Sequence, residues 1–391
     1  MSLVARWFAG CGYQVSVLTW DEGGPAEEMI DGVRVLKICR QGAGIKGLRF
    51  FWPKWTSLIA AMKRADADVY YHNLAECTTG QTALWCRQHG RRFVFSVSAN
   101  TQCKTKLPYR FQERILYRYG LKLADYVIVQ TRKQQKMLQD NYGCDSVVLP
   151  MPCPGPNETD FKDCKSQCSD SQHVLWLGRI CEIKRPDRLL DLAEACPDLH
   201  FDLVGPEDGT DYSHNVYTRA RTITNLTLHG PASRDRVPEF YKKAKILCCT
   251  SESEGFPNTF LEAWSYALPT VSTFDPDNLI VDNGLGVVAQ DIVGLAAGIS
   301  SLCESPDLRR EMSQRARKFY LKNYTVDAVM AKYEKVFREV YEKSICRKHQ
   351  EQNDVGHVSN DGSYDSVRSN IRSTQKFLRR VNTKREDHDR T

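Results

Sequence analysis

The chain has 391 residues, 41% hydrophobic and 26% charged, with 54 basic and 48 acidic residues giving a formal net charge of +6. That length suits about two domains, each with its own core, and a small positive excess interleaved with acids argues against duplex nucleic acid as the main partner. No run approaches the ~18 apolar residues of a membrane-spanning helix, and Arg6 interrupts the apolar start before a signal-like core can form. The expected location is therefore the cytosol, at most touching the inner face of a membrane. The 15 cysteines are odd in number and scattered, often inside apolar runs such as "KILCCTS", and read as reduced core residues. Cys164 and Cys168 lie in a polar linker and do not have the two-residue spacing of a zinc pair.

From Tyr13 to about Pro150, the runs "YQVSVLTW", "GVRVLKI", "VYYH", "FVFSVS", "YVIVQT" and "SVVLP" predict strands separated by helical patterns, the signature of a parallel sheet. Residues 1–150 form the first domain. Residues 151–172, rich in Pro, Asp and Ser, form a linker. Alternation resumes with "HVLWLGRI", "HFDLVGP", "LTLHGP", "KILCCTS" and "PTVST" between helices such as "RPDRLLDLAEAC", making a second domain over 173–345 with helices that close it. Residues 346–391 turn polar and read as a disordered tail, although "QKFLRRVNTKRE" could form an amphipathic helix on a membrane or partner.

Several stretches admit two readings. "GAGIKG", Gly42 to Gly47, matches a dinucleotide fingerprint with Asp66 and Asp68 as ribose acids, but Pro53 starts the next helix too late for that context, so a plain glycine-rich loop is the simpler account. "DAD", Asp66 to Asp68, has paired carboxylates but precedes its strand, on the edge away from where ligands of open sheets gather. "FFWPKW", Phe50 to Trp55, suits either core packing of a helix with proline at its first position or an aromatic and cationic edge at a membrane interface.

"GRICEIKRP", Gly178 to Pro186, follows a strand directly, so Arg179 and Lys184 emerge at the carboxyl edge of the second sheet, either as surface salt-bridge partners or as a seat for a diphosphate. "SESEGFPNTFLEA", Ser251 to Ala263, also leaves a strand at that edge and enters a helix. Thr259 with Glu262 fits a capping box. That leaves Glu254 and Gly255 unexplained, whereas a ligand close to the backbone at Gly255, with Glu262 accepting from ribose hydroxyls, would use all three.

These residues resemble the family 4 glycosyltransferases with the GT-B fold. "EGFPNTFLE" is similar to their motif of two glutamates separated by seven residues, "GRICEIKRP" to their Gly-Arg followed by Lys, and "ADVYYHNLAECTTGQTALWCRQHGRRFVFSVS" to the acceptor domain of bacterial members. The resemblance implies an α/β fold of two Rossmann-like, doubly wound domains facing a cleft. It implies Arg179, Lys184 and Glu254 as catalytic, the first two holding the donor's diphosphate, and Gly178, Gly255, Phe256, Asn258 and Glu262 as donor-binding. The backbone N–H groups of Gly255, Phe256 and Asn258 would meet the sugar or diphosphate, while Pro257 has none to offer. Where the family often carries a histidine, this chain has Ser98, Ala99 and Asn100. His72 is the nearest replacement on the acceptor side, or else a structural histidine.

The implied partners are a nucleotide-sugar donor and a saccharide or lipid-linked acceptor in cell-envelope polysaccharide synthesis, with peripheral membrane contact and no nucleic acid. The implied reaction retains anomeric configuration and needs neither metal nor cofactor. A glycoside hydrolase using Glu254 and Glu262 would leave the cations idle, and a degenerate, non-catalytic carbohydrate-binding protein is the other alternative. Finally, "LVARWFAGCGYQVSVLTW" is similar to the family's first helix and second strand, so the first strand and its glycine-rich loop are expected to be encoded upstream or, if absent, to leave a gapped sheet and little activity.

Overall fold

The computed structural model describes residues 3–45, 50–73, 76–107, 111–159, 161 and 173–356. In the first domain, strands β1 (Ser16–Thr19), β2 (Glu27–Ile30) and β3 (Val33–Lys37) form one sheet in the order β1-β3-β2. Strands β4 (Val69–His72), β5 (Arg92–Ser96), β6 (Tyr126–Val129) and β7 (Val147–Val148) form a second sheet in the order β4-β5-β6-β7. The two are separate hydrogen-bonded sheets among the described residues. Strand β2 was not foreseen. It pairs antiparallel with β3 with Ile30 opposite Val33, and Asp31 and Gly32 between them take φ of 51° and 75°, the conformation for which Asp-Gly is a strong hairpin signal.

The second domain is one parallel sheet of β8 (His173–Leu177), β9 (His200–Val204), β10 (Leu226–Gly230), β11 (Ile246–Cys249), β12 (Thr270–Ser272) and β13 (Gly286–Val288), in the order β10-β9-β8-β11-β12-β13. Helices cover both of its faces, so β11 is buried at every residue and reads as a continuous apolar run rather than an alternating one. Along β8 and β9 the side chains divide between two cores. Val174, Trp176, Phe201 and Leu203 pack on one face, and Leu175 and Val204 on the other beside Tyr241, Phe260 and Trp264. The order reverses between β8 and β11, where open α/β sheets leave a crevice beyond the strands' carboxyl ends.

Three expectations need correction. The helix expected from Pro53 runs over Thr56–Ala65, and Pro53 sits in a preceding turn, Phe50–Trp55, in which Trp52 is extended at φ −135° and ψ 126°. A residue before proline is pushed out of the helical region by the proline ring. The last helix, Val326–Gly356, continues into the segment expected to be structureless, while 357–391, with "QKFLRRVNTKRE", lies outside the described residues. That helix also returns to the first domain rather than closing the second: Val329, Met330, Tyr333, Val336 and Val340 form its buried stripe against Phe8, Val94 and Ile128. The Tyr13 hydroxyl donates to Glu334 at 2.8 Å across the same contact.

Arg91 donates to Asp66 at 2.5 Å and to Asp68 at 3.1 Å, which gives the paired carboxylates a structural partner at the edge away from the crevice. "GAGIKG" lies partly outside the described residues, as do Cys164 and Cys168. Among the described residues no helix is long and apolar enough to cross a membrane.

Candidate functional site

Strand β8 ends at Leu177 and delivers Gly178 and Arg179 to the crevice, followed by a short helical turn, Glu182–Lys184. Gly178 is pinned by Gly178 N donating to Val204 O at 3.0 Å and Ile180 N donating to Pro206 O at 2.9 Å. Arg179 is exposed, and it has no ion-pair partner among the described residues. Its charge is available to a ligand.

Strand β11 ends next door at Cys249. The Thr250 hydroxyl donates to the Lys184 carbonyl at 3.0 Å and accepts from the Trp176 indole at 2.9 Å, while Glu252 N donates to Ile183 O at 2.9 Å. These bonds tie the two loops together, so residues 70 positions apart meet: the Lys184 ammonium donates to Glu254, which also accepts from the Ser251 hydroxyl at 2.7 Å. An ammonium has three donors, so Lys184 can hold Glu254 and still reach a phosphate.

The helix that follows spans Asn258–Ser265, with Pro257 at its N-cap making no side-chain cap. The backbone N–H groups of Gly255, Phe256 and Asn258 donate no hydrogen bond among the described residues, leaving donors at the positive end of a helix dipole. The Phe256 ring packs 5.7 Å from Tyr324, which holds this turn against the core. Thr259 lies inside the helix rather than ahead of it, so the capping box is ruled out. Glu262 instead accepts a 2.6 Å bond from the Tyr241 hydroxyl. Burial pushes its carboxyl above the usual carboxylate range, against the pull of Tyr241 and Arg234.

Gly255 also explains how the two domains approach. A Cβ there would stand 2.8 Å from Ser98 O, 3.1 Å from Gln134 Nε2 and 3.3 Å from Ala99 Cα, so only glycine lets the loop after β11 reach the loop after β5. Asn100 donates its amide to the Glu254 carbonyl. Asp277 accepts from Arg132 N at 2.6 Å and from Lys133 N at 3.2 Å, capping helix Arg132–Tyr142 of the first domain from the second. The contributions of Asn100, Gln134, Tyr241 and Asp277 escaped sequence reasoning, because each is defined by a partner far away in the chain. His72 closes β4, with Nε2 3.2 Å from the Thr78 hydroxyl and its ring 6.4 Å from Phe95.

Comparison with known proteins agrees with this architecture. The family profile described as glycosyl transferase 4-like domain matches residues 1–153, and that of glycosyl transferases group 1 matches residues 160–319. The amylovoran biosynthesis glycosyltransferase AmsD of Erwinia amylovora is 26% identical over 204 residues, covering 51% of this chain and 57% of that protein. The chain thus spans little more than half the length of such curated relatives. Among solved structures, the sucrose-phosphate synthase of Thermosynechococcus elongatus superposes with a TM-score of 0.72 at 16% identity, covering 87% of this chain and 92% of that one. Anabaena Alr3699/HepE in complex with UDP and glucose superposes with a TM-score of 0.64 at 15% identity, covering 78% and 86%. At such identities the likeness speaks to fold. With consecutive family matches over 1–153 and 160–319, and paired doubly wound domains whose loops meet at the crevice, this protein belongs to the family 4 glycosyltransferases of GT-B fold.

Proposed function

We propose that this protein transfers a sugar from a nucleotide-sugar donor to a saccharide or lipid-linked acceptor, with retention of anomeric configuration and without a metal. The observation that carries the reading is the convergence of Arg179, Lys184 and Glu254 with the unbonded N–H groups of Gly255, Phe256 and Asn258 at one sheet edge. Arg179 and Lys184 seat the diphosphate, Glu262 accepts from ribose hydroxyls, and Glu254 orients Lys184 and contacts the sugar. As the anomeric carbon–oxygen bond breaks, negative charge grows on the departing phosphate, and cations already in place lower the barrier. The acceptor hydroxyl attacks from the same face, its oxygen bonds the anomeric carbon, and its proton passes to the departing phosphate oxygen.

A role in envelope polysaccharide synthesis, in the cytosol at the inner face of the membrane, accords with the exposed Phe111, Ile115 and Tyr119 on helix Phe111–Leu123. The test is release of nucleoside diphosphate from a panel of nucleotide-sugars with saccharide and lipid-linked acceptors, repeated in a chelator. Turnover that persists in the chelator is expected, and strict dependence on Mg²⁺ or Mn²⁺ would move the charge-stabilising role to a metal. A second reading, binding without turnover, is favoured by one feature: Asn100, rather than histidine, fills the position facing Glu254 and is bonded to its backbone. Donor binding without product would decide for it, whereas release of sugar from glycosides would revive a hydrolase.

Glu262 supplies a sharper check. Its raised pKa means that the folded chain holds this proton when the unfolded chain has lost it. Stability from the neutral form is thus full below the ordinary carboxylate range and declines as pH rises through the raised value. Ribose hydroxyls donate to the charged form, so nucleotide binding should tighten over that same rise. Glu262→Gln is expected to weaken nucleoside diphosphate binding by ~5- to 10-fold and to remove that part of the pH dependence in calorimetric titrations. A variant that melts earlier yet binds nucleotide as tightly as the parent would show the carboxylate to be structural.

A further inference from the structure

At the amino ends of β8 and β9, away from the crevice, three histidines surround one carboxylate. His173 and His200 open these strands opposite one another in register, and Asp202 lies two residues along β9 on the same face as His200. Strand β10 supplies His229, at a register shift between Leu228 and Gly230. An extra residue of this kind re-aims its side chain, and here the ring turns onto Asp202.

The Asp202 carboxylate is buried, with 5% of its side chain exposed, and all its described polar contacts are to imidazoles. Oδ2 is 2.6 Å from His173 Nδ1, and Oδ1 is 2.6 Å from His229 Nε2 and 3.9 Å from His200 Nε2. His200 Nε2 is also 2.8 Å from the Thr227 hydroxyl. One ligand atom each from His173, His200 and Asp202 falls within a 4.8 Å span.

We propose that His173, His200 and Asp202 form a binding site for a divalent transition-metal ion of the zinc type. Two imidazole nitrogens and a carboxylate oxygen are borderline ligands suited to zinc or cobalt. The ion would sit between His173 Nδ1 and Asp202 Oδ2, now 2.6 Å apart, which need to part by less than about 1 Å to reach metal-ligand spacing at ~2.0–2.2 Å from the ion. His229 stays outside the coordination shell and donates to the second carboxylate oxygen, fixing its orientation as second-shell partners of metal ligands do. His200 is the most open of the ligands, with 36% of its side chain exposed, which leaves a route for the ion and a position for water.

The ion would tie β8 to β9, and through His229 to β10, at the margin opposite the catalytic loops. Gly178 lies beyond the far end of β8, about 16 Å from His173 at ~3.3 Å per residue. The site is therefore separate from the crevice where sugar transfer is proposed.

The test uses the full chain, free of any histidine tag and stripped of metal, titrated with Co²⁺ and Zn²⁺. The expected result is one Co²⁺ per chain with visible bands of nitrogen and oxygen ligation and no thiolate charge-transfer band. One site's worth of Zn²⁺ should raise the melting temperature by ~5 °C at a hundredfold excess over Kd. His200→Ala, at the most exposed ligand, should weaken binding at least about tenfold, and so should His229→Ala from outside the shell, and Zn²⁺ should raise each variant's own metal-free melting temperature by less than it raises the parent's. Absence of binding, binding unchanged in His200→Ala and His173→Ala, or a thiolate band pointing to the cysteines would each overturn the proposal.

Discussion

Replacing Lys184 by alanine should lower the rate of sugar transfer by about 100-fold or more, some 2.7 kcal/mol of transition-state stabilisation, while the fold survives. The Lys184 side chain is 29% exposed, and losing its ammonium leaves Glu254 with the Ser251 hydroxyl. The melting temperature should move by only a few degrees, because partly exposed pairs contribute little. Arg179→Ala should cost a similar factor, with still less effect on stability because its side chain has no ion-pair partner to lose among the described residues. Steady-state release of nucleoside diphosphate alongside a thermal melt separates rate from fold. Near-parent turnover in either variant would remove that cation from the reaction.

The largest loss of stability is expected from Gly205→Ala. Gly205 follows β9 at φ 152°, and a Cβ built on it would stand 1.7 Å from Gly178 O and 2.8 Å from Gly178 C. Neither atom can swing aside, since both belong to a backbone fastened by Gly178 N to Val204 O and by Gly205 N to Gly230 O. The two strands must therefore part where Arg179 leaves the sheet. Overpacking against fixed backbone should cost about 3–5 kcal/mol and lower the melting temperature by roughly 10 °C. Variant that folds should also show a raised KM for the donor, because Arg179 is displaced with its strand. A melt within about 2 °C of the parent would mean that the close approach is relaxed in solution.

Most strands of the three sheets could be read directly, because β-branched and apolar runs between glycine, proline and polar punctuation carry their own signal. "VYYH" coincides with β4, and "KILCCTS" contains β11. Strand β2 was passed over because Glu27–Ile30 has neither alternation nor a β-branched run, although the Asp31-Gly32 turn after it was legible. Strand β13 has three residues, too few for any periodicity. The helical character of Val326–Gly356 was plain as far as the apolar stripe ran. Its destination was not, since that stripe matches a face made by residues near 94 and 128.

The sequence alone determined that two strand ends present Gly178-Arg179 and Glu254-Gly255, because strand, loop and helix succeed one another locally and the loop chemistry is written in consecutive residues. Tertiary structure decided which distant groups complete them. Order reversal between β8 and β11 puts Lys184 on Glu254, Tyr241 rather than Thr259 engages Glu262, and Asn100 and Gln134 come up against the Glu254-Gly255 turn from another domain. The histidines at 173, 200 and 229 were invisible as a set for the same reason. Parallel strands bring together residues about 27 positions apart, and that neighbourhood is fixed by sheet order and register, which no local run of residues encodes.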